Sequence, residues 1–316
     1  MNPVIRRGSR PGSDAARLCL ALVLCLVAVL PGRLAAQELA PRDYWPAPEG
    51  TELFLFAYGL QTGDIITNPA LPIVNVDSNI NRFIVGAQRT FNLAGRTANF
   101  RVELPWAEGT TRAEADGRTG RRRVEGLGDA SATLSVNLLG APTMDVAAFQ
   151  AFRAAPEPIL AASLKIVAPT GFYDERRVIN IGANRWAARL RLGYIRPLKP
   201  RWLLELSVGT WFFEDNDEFL GATLSQDPIT AFDVSLVHRF GPGFWASIDG
   251  TYYVGGRTAV AGIGRADLQR NGRLGVSVAY PFHRRLILKG SYSTGVVTRS
   301  GTDFRALSLN LVLPFP

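Results

Sequence analysis

Regular alternation of apolar and polar residues is the feature of this 316-residue chain that most constrains its fold. From Ala98 to Trp106 every second residue is apolar, and Asn99, Arg101 and Glu103 lie between them. A period of two places successive side chains on opposite faces of an extended strand, whereas a helix needs a period near 3.6. The pattern therefore predicts strands that have one apolar and one polar face.

The same alternation recurs along the chain and predicts twelve strands. The segments are 51–60, 80–91, 97–106, 130–138, 160–166, 186–194, 202–208, 232–236, 244–248, 273–280, 286–293 and 307–313. Long connections at 61–79, 107–128, 169–184, 214–227 and 255–269 alternate with short ones at 92–96, 197–200, 241–243 and 282–284. Long loops at one end and tight turns at the other are typical of outer-membrane barrels.

Two connections depart from this rule. The connection 140–158 belongs with the short turns but is long, and its 145–153 stretch is expected to form a short helix. The connection 299–302 belongs with the long loops but is short. An even number of strands places the N-terminus and the C-terminus of the chain on the same, periplasmic, side.

Closure of the sheet follows from the membrane environment. An open sheet in lipid would leave edge amides unpaired, and a closed barrel has no edges. We predict an all-β fold, a transmembrane antiparallel β-barrel of about twelve strands at residues 51–316. Aromatic residues near strand ends would form its interfacial girdles; these are Trp106, Trp186, Trp202, Phe212 and Tyr280. The alternative is a soluble β-sandwich or lipocalin-like barrel with apolar residues inside.

The N-terminus has the pattern of a secretory signal peptide. The apolar run from Leu18 to Leu30 follows a basic segment and precedes the small residues Ala35 and Ala36. The run is shorter than the roughly 18 residues of a membrane-spanning helix. We predict a signal peptide at 1–36 and a periplasmic segment at 37–50. A short buried helix or an uncleaved anchor is the alternative.

Removal of this signal changes both cysteine content and charge. Cys19 and Cys25, the only cysteines, lie in its apolar core, so the mature chain would have no disulfide. The formal charge of +8 arises from 35 basic and 27 acidic residues. The signal contains five arginines and Asp14, which leaves 30 basic and 26 acidic residues. So small a surplus without a binding motif argues against nucleic acid as a partner.

Charged residues share the polar face of the predicted strands and are candidates for lining the lumen. They are Arg101, Glu103, Lys165, Arg189, Arg191, Glu205, Asp233, Asp249, Arg273 and Lys289. Six are basic and four acidic, so an open lumen would have a weak preference for anions. Pairing of opposite charges across the lumen, which would help to plug it, is an equal alternative.

Catalytic chemistry has little support in the sequence. The two histidines, His238 and His283, show no zinc-ligand spacing. An outer-membrane lipid hydrolase with a Ser–His pair is conceivable at His238, but the sequence pairs no serine with it. We therefore predict no catalytic residue, no cofactor and no metal site.

Several stretches resemble one bacterial family across essentially the whole predicted mature chain. They are 42–51, 72–77, 126–129, 135–142, 180–186, 211–217, 252–258 and 292–295, and the first reads RDYWPAPEGT. Together they resemble the transporter family of the meta-pathway of phenol degradation. That resemblance implies an outer-membrane barrel that passes hydrophobic or aromatic compounds, and it supplies no catalytic residues.

These observations predict an outer-membrane channel of a Gram-negative-type bacterium. It would pass small aromatic or hydrophobic solutes by passive diffusion. Its partners would be outer-membrane lipid, lipopolysaccharide, the barrel assembly machinery and the solute. Phe315, the penultimate residue, departs from the terminal aromatic that the machinery commonly reads. A barrel without transport, with a structural or adhesive role, is the competing interpretation.

Overall fold

The structure is a computed structural model that describes residues 41–65, 74–115, 117–177, 179–297 and 304–315. The predicted signal peptide at 1–36 and the short connection at 299–302 lie outside these residues.

The described chain is built almost entirely from strands. In chain order the elements are β1 (Glu52–Gly63), β2 (Val74–Leu93), β3 (Arg96–Ala115), β4 (Arg118–Leu127), β5 (Ser131–Leu139), α1 (Val146–Ala154), β6 (Ile159–Val167), β7 (Ala187–Lys199), β8 (Trp202–Phe213), β9 (Asn216–Phe219), β10 (Ala222–Gln226), β11 (Ile229–Arg239), β12 (Trp245–Gly255), β13 (Thr258–Val260), β14 (Ile263–Gly264), β15 (Gln269–His283), β16 (Leu286–Val297) and β17 (Phe304–Phe315). Among these residues no helix is both long enough and apolar enough to cross a bilayer.

Twelve antiparallel strands close into a barrel. The order around it is β1, β2, β3, β5, β6, β7, β8, β11, β12, β15, β16 and β17, and β17 pairs with β1. Phe56 of β1 illustrates the closure, because it is in register with Leu311 on one side and Val85 on the other. Closure satisfies the backbone groups at what would otherwise be two sheet edges. The prediction of a twelve-stranded barrel is confirmed.

The two faces of each strand differ as the alternation predicts. On β7, Leu190 and Leu192 are 55% and 51% exposed, whereas Arg191 between them is only 8% exposed. Apolar side chains therefore cover the outer wall and polar side chains the inner wall. This arrangement suits a barrel in lipid, whose outer surface must be apolar.

Some of the long connections contain strands that the sequence pattern did not predict. The 107–128 connection, expected to be a loop, is a hairpin in which the second half of β3 pairs with β4. β9, β10, β13 and β14 form a separate four-stranded sheet at the long-loop end. Backbone hydrogen bonds, rather than burial of one apolar face, stabilise most of these strands. Their sequences therefore need no regular alternation of apolar and polar residues.

The short-turn end contains the helix expected in the 140–158 connection. Helix α1 begins after Asp145, whose Oδ1 accepts a hydrogen bond from the Ala148 N–H at 2.7 Å. Such a cap satisfies one of the free amides at a helix N-terminus. Phe149 and Phe152 of α1 pack against a buried apolar cluster inside the barrel end. The predicted helix is confirmed.

Candidate functional site

The segment before β1 lies inside the barrel. It enters from the short-turn end, and Tyr44 is only 4% exposed. Arg42 has a φ of 71°, a left-handed conformation that turns the chain into the interior. The Arg42 N–H donates to Glu205 Oε2 at 2.7 Å, and the hydroxyls of Tyr44 and Ser163 share a hydrogen bond at 2.8 Å. We call residues 41–46 the inner segment.

Asp43 joins the inner segment to two distant arginines of the wall. Its two carboxylate oxygens lie 3.2 Å from Nη2 of Arg101 on β3 and 3.2 Å from Nη1 of Arg191 on β7. Arg191 also contacts Asp233 Oδ2 at 3.1 Å and donates from Nε to Ser207 at 2.9 Å. A chain of charge-assisted hydrogen bonds therefore crosses the interior through the inner segment.

The ring of Tyr44 lies directly against Gly193 of β7. A Cβ atom at position 193 would overlap Cδ2 and Cε2 of this ring. Arg191 places its guanidinium 5.4 Å from the ring centre. An inward-facing glycine is thus needed for the inner segment to dock, because any larger residue would occupy the space of the ring.

Below Tyr44, apolar side chains fill the short-turn end of the interior. The cluster contains Tyr44, Ala141, Met144, Ile159, Ala161, Ile195, Leu203, Val237, Trp245 and Ala279. Trp45 packs against it, with its ring 5.5 Å from Phe152 of α1 and 3.7 Å from the Arg42 guanidinium. The inner segment and α1 together occlude the barrel at this end.

The charge of Asp43 depends on its arginine partners. Burial alone raises the pKa of this carboxyl group, but the guanidinium groups of Arg101 and Arg191 oppose that effect and lower the pKa from 3.8 to about 2. A lowered pKa in the docked state means that docking favours the carboxylate, so the stabilisation is fully present above pH 3.8 and is lost as the pH falls through about 2. A shift of this size corresponds to about 2 kcal/mol.

Acidification is therefore expected to release the inner segment. The step that Asp43 controls should appear as a rise in the single-channel conductance of the wild type between pH 4 and about pH 2. Asp43→Asn should conduct more at neutral pH and lose most of that rise, because it has no carboxylate at this position. An identical pH profile in both proteins would show that Asp43 does not control docking.

Three of the remaining predicted lumen charges have polar partners on the inner wall. Glu103 and Lys165 form an ion pair at 2.9 Å. Asp249 accepts hydrogen bonds from Ser247 at 3.0 Å and Ser277 at 2.8 Å. Together with Arg101, Arg191, Glu205 and Asp233, these residues have polar contacts on the inner side of the barrel.

Cations on the inner wall also lie over aromatic rings. Arg185, in the loop before β7, is 4.7 Å from the centre of the Phe213 ring, and Arg189 is 5.0 Å from that of Trp211. The two rings stack at 6.4 Å with an interplanar angle of 10°. Nε of Arg189 is buried and has no hydrogen-bond partner in the described part of the chain. We call these four residues the arginine–aromatic ladder.

Two further pairs of the same kind lie elsewhere on the inner wall. Arg273 is 4.2 Å from the Phe304 ring centre and donates to Ser293 at 3.1 Å. Lys289 lies 5.7 Å from the ring centre of Trp245. All ten charged residues predicted to line the lumen therefore lie on the inner side of the barrel wall.

Sequence reasoning missed the residues that organise this interior. Residues 37–50 were expected only as a periplasmic segment, and the pattern gave no reason to bring Asp43 and Tyr44 against the wall. Gly193 was the one available signal, because a glycine within a strand often marks close approach of another group. Trp211 and Phe213 face inward, but aromatic residues near strand ends are also typical of the outward-facing girdles. Their residue type alone therefore did not identify them as lumen residues.

His238 does not form part of the interior site. Its ring lies 4.5 Å from Trp202 and 4.6 Å from Phe240 on the outer face. Within the described residues its Nδ1 has no hydrogen-bond partner. The same residues include no group of three or more His, Cys, Asp or Glu side chains placed to hold a metal ion.

A closed barrel with an apolar outer wall and a polar interior defines the class of outer-membrane β-barrel proteins. The chain belongs to the family described as "Putative MetA-pathway of phenol degradation", whose model matches residues 64–311. This match confirms the family resemblance that the sequence stretches indicated.

Solved structures share the barrel fold. An outer membrane channel from Pseudomonas putida F1 is 21% identical, with a TM-score of 0.73 over 88% of this chain and 100% of that chain. The beta domain of the Bordetella autotransporter BrkA is 12% identical, with a TM-score of 0.50 over 84% of this chain and 100% of the other. A search of curated proteins finds no match.

Proposed function

We propose that the protein is an outer-membrane channel through which small aromatic solutes, neutral or anionic, pass by passive diffusion. In the conformation described here the inner segment and α1 occlude one end, so passage requires movement of the inner segment. The family description and the outer-membrane channel from P. putida F1, which shares the fold, support this proposal.

The arginine–aromatic ladder is the observation that carries the choice of solute. An aromatic ring entering the lumen can stack on Trp211 or Phe213 or on a guanidinium face, and such contacts are favourable by about 0.5–2 kcal/mol each. Arg189 Nε, buried without a partner among the described residues, can donate to a phenolic or carboxylate oxygen. Weak, repeated contacts of this kind suit passage, because tight binding would trap the solute.

The inner segment gives the channel a gate. Its docking rests on the Asp43 ion pairs, the Tyr44 hydrogen bond and the packing of Tyr44 on Gly193. None of these contacts is covalent, so the segment can leave while the barrel wall stays closed by its backbone pairing. The lumen charges would then face the solute, with basic residues in excess.

We also propose that the barrel has no hydrolase activity. His238 is packed between two aromatic rings on the outer wall, a position that suits the membrane interface rather than a Ser–His pair. Lipopolysaccharide, the surrounding lipid and the assembly machinery remain the proposed partners.

Removal of the ladder should slow aromatic flux selectively. In liposomes containing the mature protein, the double variant Arg189→Gln/Trp211→Leu should take up 4-hydroxybenzoate roughly tenfold more slowly than the wild type, because it loses two contacts of about 0.5–2 kcal/mol. Uptake of arabinose, a solute of similar size without an aromatic ring, should change little. Stopped-flow measurement of both solutes gives the ratio.

A matched control separates this effect from a change in charge or folding. Arg121→Gln/Trp106→Leu removes one exposed arginine from β4 and one tryptophan from the outer face of β3, away from the ladder, and its uptake should equal that of the wild type. Equal slowing of both solutes in the ladder variant would contradict the aromatic preference. Absence of uptake by every folded variant would favour the structural or adhesive barrel.

A further inference from the structure

A continuous row of ring contacts crosses the outer face of the barrel at its short-turn end. Successive ring centres are 4.5 Å apart for Trp202–His238, 4.6 Å for His238–Phe240, 4.5 Å for Phe240–Phe244, 5.3 Å for Phe244–Tyr280 and 5.0 Å for Tyr280–Phe282. We call these six residues the aromatic row. They belong to β8, β11, β12 and β15 or to the turns that these strands enter.

The aromatic row marks the level of the membrane interface. Its residues share the outward parity of Leu206, Val234, Ile248 and Leu274, which are 43% to 66% exposed on the outer wall. Aromatic girdles of outer-membrane barrels lie where lipid headgroups meet hydrocarbon, and the short turns face the periplasm. The turns just beyond the row therefore lie among the headgroups of the inner leaflet.

Those turns carry cations and no carboxylates. Arg196 and Lys199 lie at the end of β7, Arg201 lies in the β7–β8 turn, and Arg284 and Arg285 lie in the β15–β16 turn; all five are exposed. Neither the 196–201 stretch nor the 281–285 stretch contains Asp or Glu, and nor does the 239–244 turn between them. We call these five residues the cationic turns.

An apolar groove crosses the same strands beyond the aromatic row and extends onto β6, β7 and the long-loop end of β16. Its volume is about 830 Å³, and Val208, Phe232, Val234 and Leu274 are among its lining residues. Gly250 and Gly272 share the outward parity of these residues and present no side chain, so the wall is recessed between its neighbours. The groove, the aromatic row and the cationic turns thus follow one another from the hydrocarbon to the periplasmic surface.

We propose that this outer surface binds an anionic phospholipid of the inner leaflet. The phosphate contacts the cationic turns, the glycerol region lies at the aromatic row, and one acyl chain extends into the groove. Phosphatidylglycerol has the required net charge, whereas a zwitterionic lipid offsets its phosphate with its own cation. Lipopolysaccharide belongs to the leaflet at the long-loop end. This binding is independent of the proposed channel activity, because the side chains of the cationic turns, of the aromatic row and of Val208, Phe232, Val234 and Leu274 face away from the lumen.

Native mass spectrometry of the full mature protein in detergent tests the proposal. Dipalmitoyl phosphatidylglycerol should bind at least roughly tenfold more tightly than dipalmitoyl phosphatidylcholine, since each basic residue near an anionic headgroup contributes about fivefold. The variant K199Q/R201Q/R284Q/R285Q should lose this preference. The control R112Q/R118Q/R121Q/R122Q removes the same charge from exposed residues at the long-loop end and should retain it.

Three further readings keep the result unambiguous. Each variant must show the heat-modifiable gel shift of a folded barrel. Inorganic phosphate at about 10 mM should not displace the lipid, because it lacks the chains that extend into the groove. Dihexanoyl phosphatidylglycerol should bind more weakly than the dipalmitoyl lipid. Displacement by phosphate, equal losses in both charge variants, or an unchanged preference in the first variant would each overturn the proposal.

Discussion

Gly193→Val is expected to displace the inner segment and to raise single-channel conductance in planar bilayers. The valine side chain would occupy the space of the Tyr44 ring, which rests directly on Gly193. Overpacking at a well-packed contact costs about 1–3 kcal/mol, which would lower the ratio of docked to undocked segment by about 5- to 150-fold. The open-channel probability should rise by a corresponding factor until the undocked state dominates.

The effect should be specific to this position. Gly59→Val is the matched control, because Gly59 is also a strand glycine whose added Cβ would meet only ordinary contacts at 3.9 Å. Its conductance should match that of the wild type. Tyr44→Ala, which removes the ring, should open the channel as Gly193→Val does, and the double variant should conduct no more than either. Additive effects, or a silent Gly193→Val that is folded, would show that Tyr44 does not close the lumen.

The strands of the barrel could be predicted because their chemistry is local. In each predicted segment apolar residues alternate with polar ones, so that one face of the strand suits lipid and the other suits the interior. Leu190 and Leu192 on the outer face, with Arg191 between them on the inner face, are an example. The parity of the ten lumen charges follows from the same rule. The hairpin of β3 and β4 was missed because its pairing depends on backbone contacts between polar residues such as Arg112 and Arg121.

The contents of the lumen could not be predicted from the same information. Asp43 contacts Arg101 and Arg191, which are 58 and 148 residues away in sequence and separated around the barrel wall. No periodicity encodes such a contact, since it depends on where a segment without regular structure turns. The sequence left two alternatives for the charged lumen, an open channel that prefers anions or a lumen plugged by paired charges. Choosing between them requires the position of residues such as Asp43, which only the three-dimensional structure gives.

Arg191→Met is expected to have the largest effect on stability. Arg191 is 8% exposed and contacts Asp43 at 3.2 Å, Asp233 at 3.1 Å and Ser207 at 2.9 Å. Methionine fills a similar volume but leaves two partly buried carboxylates without their shared cation. Removing one member of a buried ion network costs about 3–5 kcal/mol, because the remaining charges stay desolvated. Urea titration of the protein folded in lipid vesicles measures the loss in unfolding free energy.

The cause of that loss is separable from lost packing by restoring neutrality. Arg191→Met/Asp43→Asn/Asp233→Asn removes the cation and both carboxylates, so it should recover most of the unfolding free energy, since replacing buried ion pairs by neutral groups is often close to neutral. Arg101 keeps its charge in this variant, but its side chain is 30% exposed and retains the hydrogen bond to Gln88. Arg118→Met, at an exposed position, should change stability by less than about 0.5 kcal/mol. The triple variant should also differ from the wild type in conductance. Its inner segment has lost both Asp43 ion pairs, so it should conduct more than the wild type although its stability is nearly the same. A triple variant as unstable as Arg191→Met would instead mean that the guanidinium acts through its packing against Tyr44 and the wall.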